Sequence, residues 1–279
     1  MILLTGASSY LGARLYDELR DSNVVERGRR VVGTYNTTKL CDDFVHMDLR
    51  NKDSVEDVVR RYKPHTIIHA AAISSASQCE KNEDDARDVN LTGTQHVIDA
   101  AERHGADLVY ISTFAAALSN KLYGQSKLNA EIFVGDSDTR HLILRPSMIF
   151  GGSANTTNDR PHNRLLANLE GKTAPIYEHT SGYQPTWIGH ISAVLETCLD
   201  RNIWFETIPI ACPEMRTRYE IARDILAPFG VTAIPDGTPE KGEPISLEKL
   251  EELDLPTLGN DDFTQCVIEE IRWKECFKL

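Results

Sequence analysis

The sequence predicts an α/β fold in which helices cover both faces of a parallel sheet, followed by a smaller, helix-rich domain. Two observations over the first 150 residues support this prediction: apolar and amphipathic segments alternate, and the short segments are uniformly apolar. Strands buried on both faces have this composition, and parallel strands need a crossover, usually a helix, between them. The expected strands are residues 2–4, 31–35, 44–47, 66–72, 108–111 and 141–145.

Helices are expected between these strands because apolar residues recur there at helical spacing. Every fourth residue from Leu11 to Leu19 is leucine, which marks one face of the first helix. Asp53 is expected to cap the second helix, whose apolar face runs from Val55 to Tyr62 in steps of three and four residues. Further helices are expected around residues 89–101 and over residues 123–134.

The pattern changes after residue 150, where a polar loop over residues 151–159 is typical of a domain boundary. An apolar stripe from Ile191 to Leu199 is expected to form a helix that returns the chain to the sheet. The first domain is therefore predicted to comprise residues 1–150, joined by about 187–204, and the smaller one residues 151–186 and 205–279. Within the smaller domain we expect a strand at 208–210, a helix from Thr217, a Pro/Gly-rich connection at 235–244, and helices from Ser246 and Asp261.

Composition argues against several classes of function. The 279 residues carry a formal net charge of −12, which argues against binding to nucleic acid or to an anionic membrane surface. No run of about 18 apolar residues is present to span a membrane, and no basic and apolar leader marks a secretory signal, so we expect a cytoplasmic protein. The six cysteines and the histidines match no metal spacing, and no metal is expected.

The glycine-containing segment at residues 5–12 follows the first strand and opens the first helix, which is the context of a dinucleotide-binding loop. Gly6 allows a tight turn, Gly12 allows close packing, and the helix N-terminus attracts a pyrophosphate. Ser9 stands where a third glycine is usual, and its hydroxyl can donate to a phosphate. A purely structural turn is the alternative. The loop residues expected at the cofactor are Gly6, Ser8, Ser9, Tyr10, Leu11 and Gly12.

The choice between NAD and NADP is made at the end of the second strand, where an NAD site usually has an acid that accepts from the ribose hydroxyls. Residues 35–39 contain no acid, and Arg14 and Lys39 are candidates to face a 2′-phosphate. We therefore expect NADP rather than NAD, with Asn36 and Lys39 among the residues that bind the cofactor. Asp48–Leu49 is a candidate to hold the adenine, with a turn-capping aspartate as the alternative.

The candidate reaction centre is a tyrosine–lysine pair. Tyr123 and Lys127 lie four residues apart in a predicted helix and so share one face. A phenol has a pKa near 10, and a neighbouring ammonium lowers it, so that the tyrosine can exchange a proton with a substrate oxygen. The spacing alone is weak, because Tyr35 and Lys39 match it too. Context favours Tyr123, since its helix begins just after a strand that ends at Thr113, whose hydroxyl would bond the same oxygen.

Six motifs occur along the chain in this order: Thr5–Gly6 with Gly12, His69–Ala72, Asn90 with Gly93–Thr94, Tyr110–Thr113, Tyr123 with Lys127, and Leu144–Pro146 with Phe150–Gly151. Taken together, they resemble the motifs of the extended short-chain dehydrogenase/reductases. Two later segments, at residues 184–187 and 246–250, look most like those of the dTDP-4-dehydrorhamnose reductases within that family.

The resemblance implies a Rossmann-type doubly wound parallel sheet, a smaller substrate domain, and a bound NADP or NAD. It also implies Thr113, Tyr123 and Lys127 as the catalytic set, a nucleotide-linked 4-keto-6-deoxy sugar as substrate, and a homodimer. Asn90 matches an asparagine often placed in a water-mediated proton relay, and capping backbone within its helix is the alternative. Further cofactor contacts are implied at Ala70, Ala71, Ala72, Asn90, Tyr123, Lys127, Arg145 and Pro146.

The chain departs from the family pattern in three places. Ser9 replaces a glycine, and nine residues separate Thr113 from Tyr123 where the family has a longer, substrate-lining loop. Glu243 stands where an arginine is common, and an acid there would repel phosphates. The pocket is therefore expected to be more open, or to be filled by Phe114 or by residues 152–162.

The resulting prediction is an NAD(P)H-dependent reductase that takes a ketone substrate. Tyr123 would donate the proton, Lys127 would lower the pKa of Tyr123 and orient the ribose, and Thr113 would polarise the carbonyl. Two alternatives stay open: an epimerase of sugar nucleotides that uses the same residues, and a non-catalytic, NADP-binding regulatory subunit.

Overall fold

The computed structural model describes residues 1–21, 30–157, 159–171, 174–240 and 242–276. Residue 158 of the predicted polar loop and residue 241 of the predicted Pro/Gly-rich connection therefore lie outside the described residues. The strands are β1 (Ile2–Thr5), β2 (Val31–Tyr35), β3 (Val45–His46), β4 (Thr66–His69), β5 (Asp107–Ile111), β6 (His141–Pro146), β7 (Met148–Phe150), β8 (Ile176–Glu178), β9 (Gly182–Tyr183), β10 (Pro185–Trp187), β11 (Glu206–Ile210), β12 (Arg216–Thr217) and β13 (Ile234–Asp236).

Most of the helices lie between strands, as the apolar spacing predicts. A π-helical turn (Asp88–Thr92) interrupts the predicted 89–101 helix, and a 3₁₀ turn (Ala227–Phe229) follows a later one. The α-helices are α1 (Tyr10–Asp21), α2 (Lys52–Tyr62), α3 (Ala76–Lys81), α4 (Glu83–Arg87), α5 (Gly93–His104), α6 (Ala115–Leu118), α7 (Leu122–Gly135), α8 (Pro161–Gly171), α9 (Ile188–Asp200), α10 (Arg218–Leu226), α11 (Glu248–Glu252) and α12 (Asn260–Cys276).

The central sheet has seven strands in the order β11-β6-β5-β4-β1-β2-β3. The pairs between neighbours from β3 to β6 are all parallel. The chain runs outward from β1 to β3 and then returns to β4 on the other side of β1, so the switch in strand order lies between β1 and β4. Ligands bind at the carboxyl ends of strands at such a switch. The predicted α/β fold, with its doubly wound parallel sheet, is confirmed.

Apolar residues of the strands and helices pack into one core on this sheet. Leu3, Ile67 and Leu108 occupy matching positions on three adjacent strands, and all are fully buried. Val59 of α2 and Ile98 of α5 belong to the same buried cluster. The uniformly apolar strands therefore form a sheet that is covered by helices, as their composition predicts.

Two details of the predicted elements are wrong. The α2 helix is capped by Asn51, not Asp53: the Asn51 carbonyl oxygen of the side chain accepts from the backbone N–H groups of Asp53 (3.0 Å) and Ser54 (3.2 Å). The fourth strand ends at His69, so residues 70–72 form the segment that follows it. This shorter strand places the alanines in a loop at the carboxyl edge of the sheet.

The chain forms two compact units. The first comprises Met1–Arg145 and Cys198–Ile208, and the second comprises Pro146–Thr197 and Pro209–Leu279. The predicted return of about 187–204 to the first domain thus differs in its bounds from the returning segment that the structure has.

The second unit combines helices with three short strand pairs: β7 with β10, β9 with β12, and β8 with β13. Its buried core includes Phe150, Ile221 and Phe263. The β13 strand (Ile234–Asp236) overlaps the start of the predicted Pro/Gly-rich connection, and Pro235 is tolerated there because β13 pairs with one strand only. Among the described residues, no helix is long and apolar enough to cross a membrane, and no cluster of potential metal ligands occurs.

Candidate active site

The glycine loop after β1 is closed too tightly to admit side chains at its two glycines. Gly6 has a φ of +68°, and a Cβ there would lie 2.7 Å from the Cα of Ala71. A Cβ at Gly12 would lie 2.1 Å from the carbonyl oxygen of Gly6. The Ser9 hydroxyl accepts from the backbone N–H of Gly12 (3.0 Å), which leaves its own hydrogen available to a ligand. This geometry fits a cradle for a pyrophosphate at the N-terminus of α1.

A chain of hydrogen bonds joins the end of β1, where the glycine loop begins, to the neighbouring strand β4. The Thr94 hydroxyl donates to the carbonyl of Asn90 (2.7 Å) and therefore accepts from Nε2 of His69 (3.1 Å). The Thr5 hydroxyl accepts from the backbone N–H of Ala71 (3.2 Å) and donates to Nδ1 of His69 (2.7 Å). Burial, with Lys127 nearby, lowers the pKa of His69 to about 3. A neutral imidazole therefore holds Ala71 against Gly6.

Asn90 lies fully buried in the π-helical turn, an element that is frequent at functional sites. Its side-chain oxygen accepts from the backbone N–H of Ile73 (2.8 Å). Its amide donates to the carbonyl of Ile73 (3.0 Å) and to the hydroxyl of Ser126 (3.2 Å). Both amide hydrogens are thus engaged in joining the segment after β4 to α7, and neither caps the backbone of its own helix.

Lys127 is the most unusual member of the predicted catalytic set, because its side chain is only 2% exposed. Nζ donates to the carbonyl of Ile111 (2.7 Å) and lies 4.0 Å from the centre of the Tyr110 ring. Burial lowers the pKa of Lys127 to about 7, and the charge of Glu131 acts in the opposite direction. The ammonium is therefore brought to the carboxyl end of β5.

Tyr123 and Thr113 lie half-buried at the two ends of the connection between β5 and α7. Tyr123 is close enough to the buried Tyr110 for its charge to raise the pKa of Tyr110, after the larger effect of burial. The Thr113 hydroxyl accepts from the backbone N–H of Ala115 (3.3 Å), so its hydrogen is left for a substrate oxygen. The assignment of these three residues as catalytic stays a prediction, which their placement supports.

The short connection between Thr113 and Tyr123 folds as the small helix α6, which packs on α7. Phe114 is buried, and its role in filling the substrate pocket stays a prediction. A Cβ at Gly124 would lie 2.5 Å from the carbonyl oxygen of Ala115 and 2.9 Å from Cβ of Ser119. Only glycine at position 124 admits this close contact beside Tyr123.

We expect Gly124→Ala to destabilise the protein by about 1–3 kcal/mol and to reduce kcat, because the added Cβ pushes α6 away from α7 at Tyr123. Gly135→Ala, at the last position of the same helix, is the matched control, since a Cβ there meets no atom within 4 Å. Urea unfolding and steady-state kinetics check both variants. Equal stability and kcat in the two variants would contradict this account of the connection.

The outer part of the expected cofactor site contains exposed polar residues, with Asn36 and Lys39 both open to solvent. Lys39 lies 4.0 Å from a carboxylate oxygen of Asp42. The other candidate cation, Arg14, donates to Glu18 one turn along α1 (2.5 Å), so its charge is already compensated. Of the two, Lys39 is therefore the better candidate for a 2′-phosphate.

Asp48 is engaged in a local ion pair. Its carboxylate accepts from Nε (3.0 Å) and Nη2 (2.8 Å) of Arg50, and this interaction lowers its pKa. It also accepts from the backbone N–H of Arg50 (3.0 Å), as a turn-capping aspartate does. Leu49 beside it is buried. The turn-capping alternative therefore describes the observed bonds, and an adenine contact stays a prediction.

Glu131 and Ser112, which the sequence analysis did not select as site residues, form a buried hydrogen-bonded group with Arg145. The Glu131 carboxylate accepts from Nε (2.9 Å) and Nη2 (2.5 Å) of Arg145 and from the hydroxyl of Ser112. Glu131 is 6% exposed and lies one turn after Lys127. Arg145, predicted at the cofactor, is thus paired from α7, and Pro146 after it is buried. The spacing of Lys127 and Glu131 was the available signal.

In the second unit, a carboxylate of the last helix holds the loop after β7. Glu270 accepts from the backbone N–H of Gly152 (2.6 Å) and from the indole of Trp187 (3.1 Å). Gly151 has a φ of +128°, and a Cβ there would lie 2.5 Å from Ile188. Glu243, the acid that stands where the family commonly has an arginine, is exposed.

Fold and site together define the class. A doubly wound parallel sheet with a tight glycine loop after β1, and a tyrosine with a buried lysine one helical turn along after β5, is the arrangement of an extended short-chain dehydrogenase/reductase. Within this class, the family described as "RmlD substrate binding domain" matches residues 1–252. The chain belongs to that family.

Individual proteins agree with this assignment. A dTDP-4-dehydrorhamnose reductase of Aggregatibacter actinomycetemcomitans is 31% identical over 221 residues, 74% of this chain and 70% of that protein. Methionine adenosyltransferase 2 subunit beta of Danio rerio is 24% identical over 247 residues, 82% of this chain and 74% of that protein. The structure of a Bacillus anthracis str. Ames dTDP-4-dehydrorhamnose reductase in complex with NADP matches with a TM-score of 0.77 at 20% identity, covering 98% of each chain. The predicted resemblance is confirmed.

Proposed function

We propose that this chain is an NAD(P)H-dependent reductase whose substrate is a nucleotide-linked 4-keto-6-deoxy sugar. The observation that carries the proposal is the buried ammonium of Lys127, one helical turn from Tyr123 at the carboxyl end of the sheet. A charged group is buried at such a cost only when it is compensated or used, and perturbed lysines are frequent in active sites. The substrate class follows from the reductases that the chain resembles.

The residues present fit a dinucleotide. The tight turn at Gly6 and Gly12 leads directly into the N-terminus of α1, where a pyrophosphate would bind, and the exposed Lys39 favours the 2′-phosphate of NADP. When bound, the reduced nicotinamide supplies a hydride. Asn36 and Asp48–Leu49 are proposed contacts of its adenosine half, and Ala70–Ala72, Arg145 and Pro146 of its nicotinamide half.

The chain's own residues manage the proton. Tyr123 donates its phenolic hydrogen to the substrate oxygen, and Thr113 donates a hydrogen bond to the same oxygen. The Lys127 ammonium stabilises the phenolate that remains, which lowers the pKa of Tyr123 toward neutrality. Since the pKa of Lys127 is lowered to about 7, we expect the reductive activity to decline as pH rises through that value.

Two alternatives are tested with the proposal. The 24% identity to methionine adenosyltransferase 2 subunit beta and the short connection before Tyr123 favour a non-catalytic, NADP-binding regulatory subunit as the second candidate. An epimerase of sugar nucleotides would use the same three residues. A cytoplasmic location and a homodimer also belong to the proposal, on the pattern of the family.

The test begins with native mass spectrometry of the purified protein, which we expect to retain NADP or NAD. NADPH oxidation is then measured with a dTDP-4-keto-6-deoxy sugar and a panel of other ketones. Oxidation that depends on the sugar supports the reductase. Binding of NADPH without oxidation by any ketone supports the regulatory subunit, and interconversion of sugar epimers without net oxidation supports the epimerase.

A further inference from the structure

A buried carboxylate joins three elements of the site at one point. Glu131 of α7 bonds Arg145 at the end of β6 and Ser112 at the end of β5. Ser112 directly precedes Thr113, and Lys127 lies one turn before Glu131 on the same helix. The carboxylate is therefore placed to act on Lys127 through charge and on Thr113 through the backbone.

Among the residues that the structure describes, the titratable groups near Lys127 come from its own helix and from two strands. On its own helix, Tyr123 and Glu131 share its face. From the strands, the buried rings of Tyr110 on β5 and His69 on β4 lie near it, and burial keeps both neutral at pH 7. The π-helical turn contributes the neutral amide of Asn90, through Ser126 (3.2 Å). Glu131 is thus the carboxylate that opposes the cost of burying this ammonium.

Arg145 limits what Glu131 can contribute. Its guanidinium, which is 26% exposed at the side chain, makes a two-bonded pair with the carboxylate. The hydrogen bonds of this pair raise the pKa of Arg145. Two cations therefore share one buried anion, and the charge of Lys127 depends on the balance between them.

We propose that Glu131 is a positioning residue for the reaction. Its bonds to Arg145 and Ser112 fix the place of its carboxylate, and the charge of that carboxylate favours the protonated form of Lys127. The inference rests on the proposed function, because it is through Tyr123 that the charge of Lys127 would affect turnover. Its electrostatic part concerns Lys127 alone and can be measured without any substrate.

The two partners of the pair are expected to shift Lys127 in opposite directions. Glu131→Gln removes the anion and leaves Arg145 charged, so the Lys127 titration should fall by about one pH unit or more. Arg145→Gln removes the competing cation and leaves the Glu131 carboxylate to interact with Lys127, so the midpoint of the Lys127 titration should rise by about one pH unit or more. General loosening of the fold admits water in both variants and would shift the titration in one direction only. Ser112→Ala removes a bond to Glu131 and no charge, and it is the control.

The experiment follows the side-chain signals of ¹³C,¹⁵N-labelled lysine by NMR across pH in the full chain, with the Lys127 signal identified by its loss in Lys127→Met. Opposite shifts in Glu131→Gln and Arg145→Gln, with a smaller shift in Ser112→Ala, are the expected result. Unchanged titration in the two charge variants, shifts of the same sign, or an equal shift in Ser112→Ala would overturn the proposal. If Glu131→Gln does not fold, an upward shift in Arg145→Gln supports the proposal, and its absence overturns it.

A parallel measurement of the pH profile of kcat adds the catalytic part. The alkaline limb should move to lower pH in Glu131→Gln, whereas a purely structural role would lower kcat equally at every pH. If no ketone is reduced by the wild type, the proposed function fails while the NMR titration still decides whether Glu131 controls Lys127. The two failures are therefore distinguishable.

Discussion

Tyr123→Phe is expected to reduce kcat for ketone-dependent NADPH oxidation by about 10²–10⁴-fold, because the substrate oxygen loses its proton donor. Binding of NADPH should persist, since the glycine loop after β1 is untouched. Steady-state kinetics and fluorescence titration with NADPH measure the two quantities separately. The expected separation is a large loss in kcat with little change in the dissociation constant.

Tyr35→Phe is the matched control for this variant. Tyr35 has a lysine four residues later, and Lys39 Nζ lies 6.0 Å from the centre of its ring, yet the pair sits at the end of β2. We expect kcat to be retained in Tyr35→Phe. A kcat in Tyr123→Phe equal to that of the wild type would remove the phenol from the mechanism.

Lys127→Met is expected to abolish turnover and, below about pH 7, to be at least as stable as the wild type. The pKa of Lys127 is lowered from 10.5 to about 7 in the folded chain. Between these values the unfolded chain binds more protons, so the stability of the wild type rises with pH across this window, by about 3–5 kcal/mol at most. Methionine has no such proton, and its variant should lack this slope.

Urea unfolding at several pH values between about 6 and 10.5 measures the slope directly. Lys121→Met is the control, because Lys121 is exposed at the start of α7 and its replacement should leave the pH slope unchanged. A Lys127→Met protein that is markedly less stable than the wild type below pH 7, with the same slope, would show that the ammonium is a structural group rather than a strained one.

Much of the fold could be predicted because it depends on local patterns. Uniformly apolar strands and helical spacing give the alternation of elements, and the parallel sheet follows from it. The cap of α2 was misplaced because Asn51 and Asp53 are both good capping residues, and only backbone geometry selects Asn51. The π-helical turn at Asp88–Thr92 has no sequence period that distinguishes it from an α-helix.

The site could be predicted in part. The glycines and the Tyr123–Lys127 spacing carry a mechanism that is readable from residue types alone. Glu131 was missed because a carboxylate one turn after a lysine usually marks a solvated helix face. In the fold it is buried and bonded to Ser112 and Arg145, which are distant from it in sequence, and burial strengthens its effect on Lys127.

The most direct test of the central claim is the transfer of deuterium from NADPH in which both hydrogens at C4 of the nicotinamide are replaced by deuterium. In the wild type we predict that one deuterium appears on the carbon of the new alcohol, and that Tyr123→Phe forms this product far more slowly while still binding NADPH. Product without deuterium at that carbon, or undiminished formation of labelled product by Tyr123→Phe, would contradict the account.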